Sequence, residues 1–176
     1  MPEHNIVLLT GERQVGKSTL CRKLANLFQE DGFQITGLLT DRAGDHDLVV
    51  TELRTGQTYP LTLPFNPVVD RLLGRFIFSP AALQRSNCAL KASFPTQVFI
   101  LDELGPLEFV HHAGWVEAFR LLAEQAYDTA FVVVRPELLD KAIGTFPASV
   151  YTVVCVREDN RDVLLSTLYK MVVQPG

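Results

Sequence analysis

Between a short apolar run, Ile6-Val7-Leu8-Leu9, and a helical pattern that opens at Ser18 lies Gly11-Glu12-Arg13-Gln14-Val15-Gly16-Lys17-Ser18. No other stretch restricts the fold as strongly. The octapeptide fits G-x-x-x-x-G-K-[ST], and it has the setting that pattern needs, a strand before and a helix after. Successive backbone N–H groups in such a loop turn inward as an anion-binding nest, and the helix adds the positive end of its dipole. Gly11 and Gly16 allow backbone conformations that a Cβ disfavours. The expected ligand is a chain of phosphates, held by Gly11, Glu12, Arg13, Gln14, Val15, Gly16, Lys17, Ser18 and Thr19. Lys17 is expected to reach the β- and γ-phosphates, Ser18 to take a magnesium position through its hydroxyl, and Thr19 to donate to the α-phosphate. Arg13 reads equally well as a solvated side chain and as a phosphate contact.

The rest of the chain alternates apolar runs with helical patterns. Strands are expected at Ile6–Leu9, Phe33–Thr40, Val98–Leu101, Ala130–Val134 and Val150–Val156, and helices over Ser18–Glu30, from Ser79-Pro80 to about Lys91, around Trp115–Leu122 and over Asp162–Val173. Strand–helix alternation predicts an α/β fold, a mostly parallel sheet covered by helices on both faces. Leu48–Leu53 and Gln57–Leu63 flank Arg54-Thr55-Gly56 and predict a small β-hairpin insertion at one edge. Thr62–Arg71, with Pro64 and Pro67, lacks periodicity and reads as a mobile loop near the site. Residues 1–176 contain no repeat and no Gly-, Ser- or Pro-rich linker, so one domain is expected.

Composition narrows the partners. With 16 basic and 20 acidic residues the net charge is −4, and no run of Lys or Arg occurs, which argues against nucleic acid or an anionic membrane as partner. Cys21, Cys88 and Cys155 are odd in number and scattered, so they make neither a disulfide framework nor a zinc site and read as three small buried hydrophobes. No apolar stretch approaches the ~20 residues of a membrane span. Met1-Pro2-Glu3-His4-Asn5 carries no charged-then-apolar leader, so a cytoplasmic location is expected.

A second motif supplies carboxylates. Val98-Phe99-Ile100-Leu101-Asp102-Glu103 places two acids at the carboxyl end of a buried strand, the edge where ligands of open α/β sheets gather. Asp102 is expected to hold magnesium, directly or through water, and Glu103 to orient and deprotonate an attacking water. His111-His112 has no partner at metal-binding spacing and reads as a surface turn.

These residues carry a resemblance. The chain is similar to the small nucleoside-triphosphatase family of the cancer-related nucleoside-triphosphatase type. That family's D-E-[IL]-G-x-M-E is met by Asp102-Glu103-Leu104-Gly105-Pro106-Leu107-Glu108, with leucine for methionine. Gly37-Leu38-Leu39-Thr40-Asp41-Arg42 resembles its G-F-Y-T-E-E, Gly74-Arg75-Phe76-Ile77-Phe78 its G-K-Y-V-V, and Asp159-Asn160-Arg161-Asp162 its E-N-R-[DN]. The chain departs at Gln14, where the family often has glycine, and residues 43–72 carry little of the pattern. The resemblance implies a P-loop NTPase fold with a RecA-like sheet, in which at least one strand separates the phosphate-loop strand from the acidic one. It also implies magnesium-dependent hydrolysis of nucleoside triphosphates with loose base selectivity. Arg161 lies in the family motif and is a candidate for stabilising charge on the transferred phosphoryl group; Arg42 and Arg135, at strand ends, are candidate phosphate sensors. Two other readings share the cradle: a nucleotide or small-molecule kinase, and a nucleotide-binding module without turnover. No N-K-x-D guanine reader is present.

Overall fold

The computed structural model describes residues 5–66, 76–124, 126–146 and 151–174. In chain order these form β1 (Asn5–Thr10), α1 (Lys17–Glu30), β2 (Ile35–Arg42), β3 (Leu48–Glu52), β4 (Thr58–Pro60), α2 (Pro80–Lys91), β5 (Thr96–Leu104), α3 (Pro106–Phe109), α4 (Glu117–Glu124), β6 (Tyr127–Val134), a 3-10 turn (Pro136–Leu138), α5 (Leu139–Thr145), β7 (Tyr151–Cys155) and α6 (Arg161–Val173).

One seven-stranded sheet runs in the order β4-β3-β2-β5-β6-β1-β7. Strands β2, β5, β6, β1 and β7 are parallel, while β3 and β4 add an antiparallel hairpin at one edge. The expected α/β class and edge hairpin are both present, and β6 separates β1 from β5 as a RecA-like sheet requires. The alternation of side chains along each strand splits the core in two. Ile6, Leu8, Phe99, Leu101, Ala130 and Val132 face α2, α4 and α5 on one side of the sheet. Val7, Leu9, Val98, Ile100, Phe131 and Val133 face α1 and α6 on the other. Apolar runs rather than alternating ones are what a sheet covered on both sides demands. On α1, Leu20, Leu24 and Phe28 recur at helical spacing and are buried; each such side chain contributes about 1.5–3 kcal/mol relative to exposure. Ser79 caps α2 by accepting from the Ala82 N–H at 3.3 Å, with Pro80 in the first turn.

Several expectations are corrected. The hairpin strands are shorter than the sequence pattern suggests, ending at Glu52 and Pro60, because Arg54-Thr55-Gly56 and its flanks form the turn and the Leu48 N–H turns from the ladder to the Thr62 hydroxyl at 3.0 Å. Helices α3 and α5 and the 3-10 turn add to the expected elements: each is too short to show a period in the sequence. Of the cysteines, Cys21 is buried on the inner side of α1, but Cys88 and Cys155 are exposed, on the outer side of α2 and on edge strand β7. His111 and His112 do lie in an exposed turn. Residues 67–71 of the expected loop, Gly74 and Arg75 of the family segment and Val150 lie outside the described residues.

Candidate active site

Five parallel strands end at one edge, and the residues singled out above gather at those ends. Where β1 stops, the Thr10 carbonyl accepts from the Val156 N–H at 2.7 Å, so the start of the phosphate loop is pinned to the chain leaving β7. Gly11, at φ 144°, must be glycine: a Cβ there would run into the Val156 carbonyl oxygen. Gln14 takes φ 64° with a full side chain, at the position where the related pattern often has glycine. A left-handed L-residue costs about 1–2 kcal/mol, so the cradle keeps its shape against local strain. Lys17 folds over the loop, its Nζ donating to the Gly11 and Glu12 carbonyl oxygens at 2.6 Å each. Burial lowers its pKa, opposed by the charges of Glu103, Asp102 and Glu12 and reinforced by Arg135.

Asp102 is the acid beneath this loop. It is buried on the α1 side of the sheet, accepts from the Thr40 N–H at 3.3 Å, and has the Ser18 hydroxyl close enough to hold its pKa down. Burial still outweighs these contacts and raises its pKa to about 6. A hydroxyl and a carboxylate that lie near one another are the hard oxygen donors that magnesium selects. Among the described residues no group of three or more His, Cys, Asp or Glu forms an all-protein metal cage. The donor set therefore fits a magnesium ion completed by phosphate oxygens and water.

Glu103 is delivered by a defect in the strand. Leu101 pairs with Val132 and Leu104 with Val134, so β5 takes three steps where β6 takes two. That is a β-bulge, and Glu103 is in the left-handed region at φ 72°. Without the extra residue, alternation would turn Glu103 to the face that Leu101 shares with α4, into the core. With it, Leu104 fills that place fully buried, and the Glu103 side chain is 37% exposed at the strand's end. Its carboxylate accepts from the Arg135 Nε.

Glu108 locks the segment that follows. It is buried, with one carboxylate oxygen accepting from the Gly105 N–H at 2.9 Å and the other from the Trp115 N–H at 3.1 Å. Burial pushes its pKa up in spite of both bonds. This clamp ties the exit from β5 to the entry of α4. Sequence reasoning places Glu108 in a motif without a role, although the signal is legible: a glutamate three residues beyond Gly105 reaches back as in a capping box.

The arginines separate. Asn160 braces the turn out of β7, accepting from the Arg157 N–H at 2.8 Å and donating to the Cys155 carbonyl at 2.9 Å. Arg161 is thereby laid against Gly16, with Nη1 3.4 Å from the Val15 carbonyl. Together with Thr19, Leu20, Lys23 and Asp162 it lines a shallow cleft. Arg42 lies over the Phe76 ring at 5.9 Å, and its neighbour Asp41 pairs with Arg22 of α1. At ~4.8 Å per strand, β2 is about 14 Å from β1, whereas β6 is its immediate neighbour. Arg135 is thus brought to the loop and Glu103, Arg161 reaches the loop from the opposite side, and Arg42 stands at the end of β2 beside the acidic end of β5, three strand positions from β1.

With the site in place, comparison with known proteins is decisive. The chain is 30% identical over 135 residues to the nucleoside-triphosphatase THEP1 of Methanopyrus kandleri, covering 74% of this chain and 73% of the relative. It belongs to the THEP1 family of nucleoside-triphosphatases. The NTPase family model matches residues 6–59, from β1 through the edge hairpin. Among solved structures, a human cancer-related nucleoside triphosphatase superposes with a TM-score of 0.72 at 20% identity, over 98% of both chains. THEP1 from Aquifex aeolicus superposes with a TM-score of 0.66 at 18% identity, over 95% of this chain and 98% of that one. The resemblance read from the motifs is confirmed, and these likenesses show that the nucleoside-triphosphatase shares their P-loop architecture.

Proposed function

We propose that this nucleoside-triphosphatase hydrolyses nucleoside 5'-triphosphates to the diphosphate and phosphate with magnesium, acting as one catalytic unit over residues 1–176. The observation that carries the reading is the buried Asp102 carboxylate lying near Lys17 and the Ser18 hydroxyl at the loop's end, with Glu103 raised clear of the core next to them. The loop N–H groups from Gly11 to Thr19, with the side chains of Glu12, Arg13 and Gln14 exposed and Val15 packed against the core, bind the phosphates. Lys17 has three ammonium protons; with two on loop carbonyls, one remains for a β- or γ-oxygen. Ser18 and Asp102 would hold a magnesium ion, which would supply positive charge to offset that of the phosphates. Glu103 accepts a proton from the attacking water and aligns it. Arg161, laid against the loop at Val15 and Gly16, stabilises charge on the transferred phosphoryl group. Arg42, at the end of β2, and Arg135, at the end of β6, are the candidate phosphate sensors.

The supporting arrangement also suits a kinase, so the test is an acceptor-free one. Phosphate release is measured with triphosphate and magnesium alone, with and without chelator. Turnover that stops on chelation is the expected result. Release only on adding an alcohol or nucleotide acceptor would make the chain a kinase, and tight binding of a triphosphate analogue without turnover would make it a binding module.

A further inference from the structure

The bulge that frees Glu103 from the core also deprives it of a fixed direction. As the extra residue between two ladder pairs, it has no partner opposite it on β6, and its backbone sits at φ 72°. A glutamate side chain has three rotatable bonds, and the irregular pairing leaves the choice among its rotamers to side-chain contacts. One contact makes that choice: the Arg135 Nε donates to its Oε1, an ion pair whose members are 32% and 37% exposed. Arg135 has the firmer footing. It follows Val134, which pairs with Leu104 immediately beyond the bulge, so the sheet register delivers it beside Glu103. Its own backbone is unstrained at φ −66° and ψ 148°, and its carbonyl accepts from the Leu138 N–H at 3.0 Å to start the 3-10 turn. Pro136 next to it stiffens the same turn.

We infer that Arg135 is a positioning residue for Glu103: the ion pair across the β5 bulge aims the carboxylate at the attacking water. This deepens the proposed hydrolysis and rests on Glu103 acting there as the base. It also replaces the sequence-based expectation that Arg135 senses phosphate directly. A guanidinium bound through Nε is a rigid fork, so it restricts the direction of the carboxylate as well as its distance. A misplacement of about 1 Å at a reacting group can cost about 10²-fold in rate. A base that is merely misaimed lowers kcat without weakening substrate binding.

The test is a double-mutant cycle with Arg135→Gln, Glu103→Gln and the pair, read as kcat and as the Kd of a non-hydrolysable magnesium triphosphate analogue. Arg135→Gln is expected to lower kcat about 10–10²-fold and to change the Kd less than about threefold. In the Glu103→Gln background it should change kcat less than about twofold, because nothing remains to aim. Arg135→Lys, which keeps the charge and one donor, should recover part of the loss. Thermal melts of each variant separate a folding defect from a kinetic one. Should the two losses multiply, or should Arg135→Gln weaken the triphosphate analogue tenfold while sparing the diphosphate, Arg135 contacts phosphate on its own and the inference falls alone. An unchanged kcat in Glu103→Gln itself removes the base, and the inference falls with it.

Discussion

The ends of β1 and β5 lie two strand positions apart on the same sheet edge, yet they carry function in opposite ways. At β1 the proposed binding element is the backbone: two glycines, a left-handed Gln14 and the first turn of α1 shape the loop. The pattern of residue types nearly prescribes the geometry, because a G-x-x-x-x-G-K-S segment between strand and helix has few other conformations. At β5 the side chains are functional, and their directions depend on how the strand pairs. Asp102 and Glu103 are adjacent in sequence, but a regular strand would send them to opposite faces. Asp102 keeps the face that alternation with Ile100 gives it, and a single extra residue against β6 lets Glu103 leave the core. A backbone site is written in a local motif; a side-chain site at a strand end is written in register.

The largest effect that tests this contrast is at β1. Lys17→Ala should lower kcat/KM by about 10³-fold or more and weaken triphosphate binding, because its ammonium is the charge that spans the loop's carbonyls towards the phosphates. A folded variant with near-normal turnover would overturn the phosphate-loop assignment.

At β5 the corresponding change should act on rate alone. Glu103→Gln keeps the volume and should lower kcat by about 10²–10⁴-fold, with the Kd of an analogue little changed. Phosphate-release kinetics beside an analogue titration would show it. If binding and rate fell together, the distinction between the two strand ends would be lost.

Stability sharpens the comparison further. Glu108→Ala leaves the Gly105 and Trp115 N–H groups buried without an acceptor and should destabilise the fold by about 2–4 kcal/mol. Its pH dependence has a definite sign. Burial raises the Glu108 pKa, so the folded chain takes up that proton at a higher pH than the unfolded chain does. The wild type therefore gains stability as pH falls from neutral towards the ordinary glutamate value of 4.5, and the variant gains none from this group. Denaturation at pH 7 and pH 5 should show the gap widening; a gap that narrows would mean that the clamp strengthens the ionised form.

The smallest effect is expected at Gln14. Gln14→Gly relieves a left-handed L-residue but enlarges the entropy of the unfolded chain, for a net gain of at most about 1 kcal/mol. Turnover should stay within about threefold. A large loss of turnover would show that the Gln14 side chain, and not only its backbone, belongs to the site.

Much of the fold and of the site is legible in residue types and their spacing. The apolar runs of β1, β5 and β6 announce a buried parallel sheet, and Ser79-Pro80 announces the start of α2. Phosphate loop, acidic strand end and Asn160-Arg161 can all be found in the same way. What stays hidden has physical reasons. Cys88 and Cys155 look like core residues by chemistry, and only the orientation of α2 and the edge position of β7 expose them. Arg42, Arg135 and Arg161 look alike at strand or helix ends, and only strand order says which is near the phosphate loop.

By itself the sequence determined the α/β class, the glycine-bounded loop between β1 and α1 and the two carboxylates at the end of β5, because local patterns of burial, glycine and charge act over neighbouring residues. The tertiary structure alone decided which face each carboxylate meets and that Arg135 pairs with Glu103. It also decided that the buried Glu108 clamps Gly105 to Trp115. Those outcomes turn on pairing between distant segments, where one unpaired residue in a strand redirects the side chains around it.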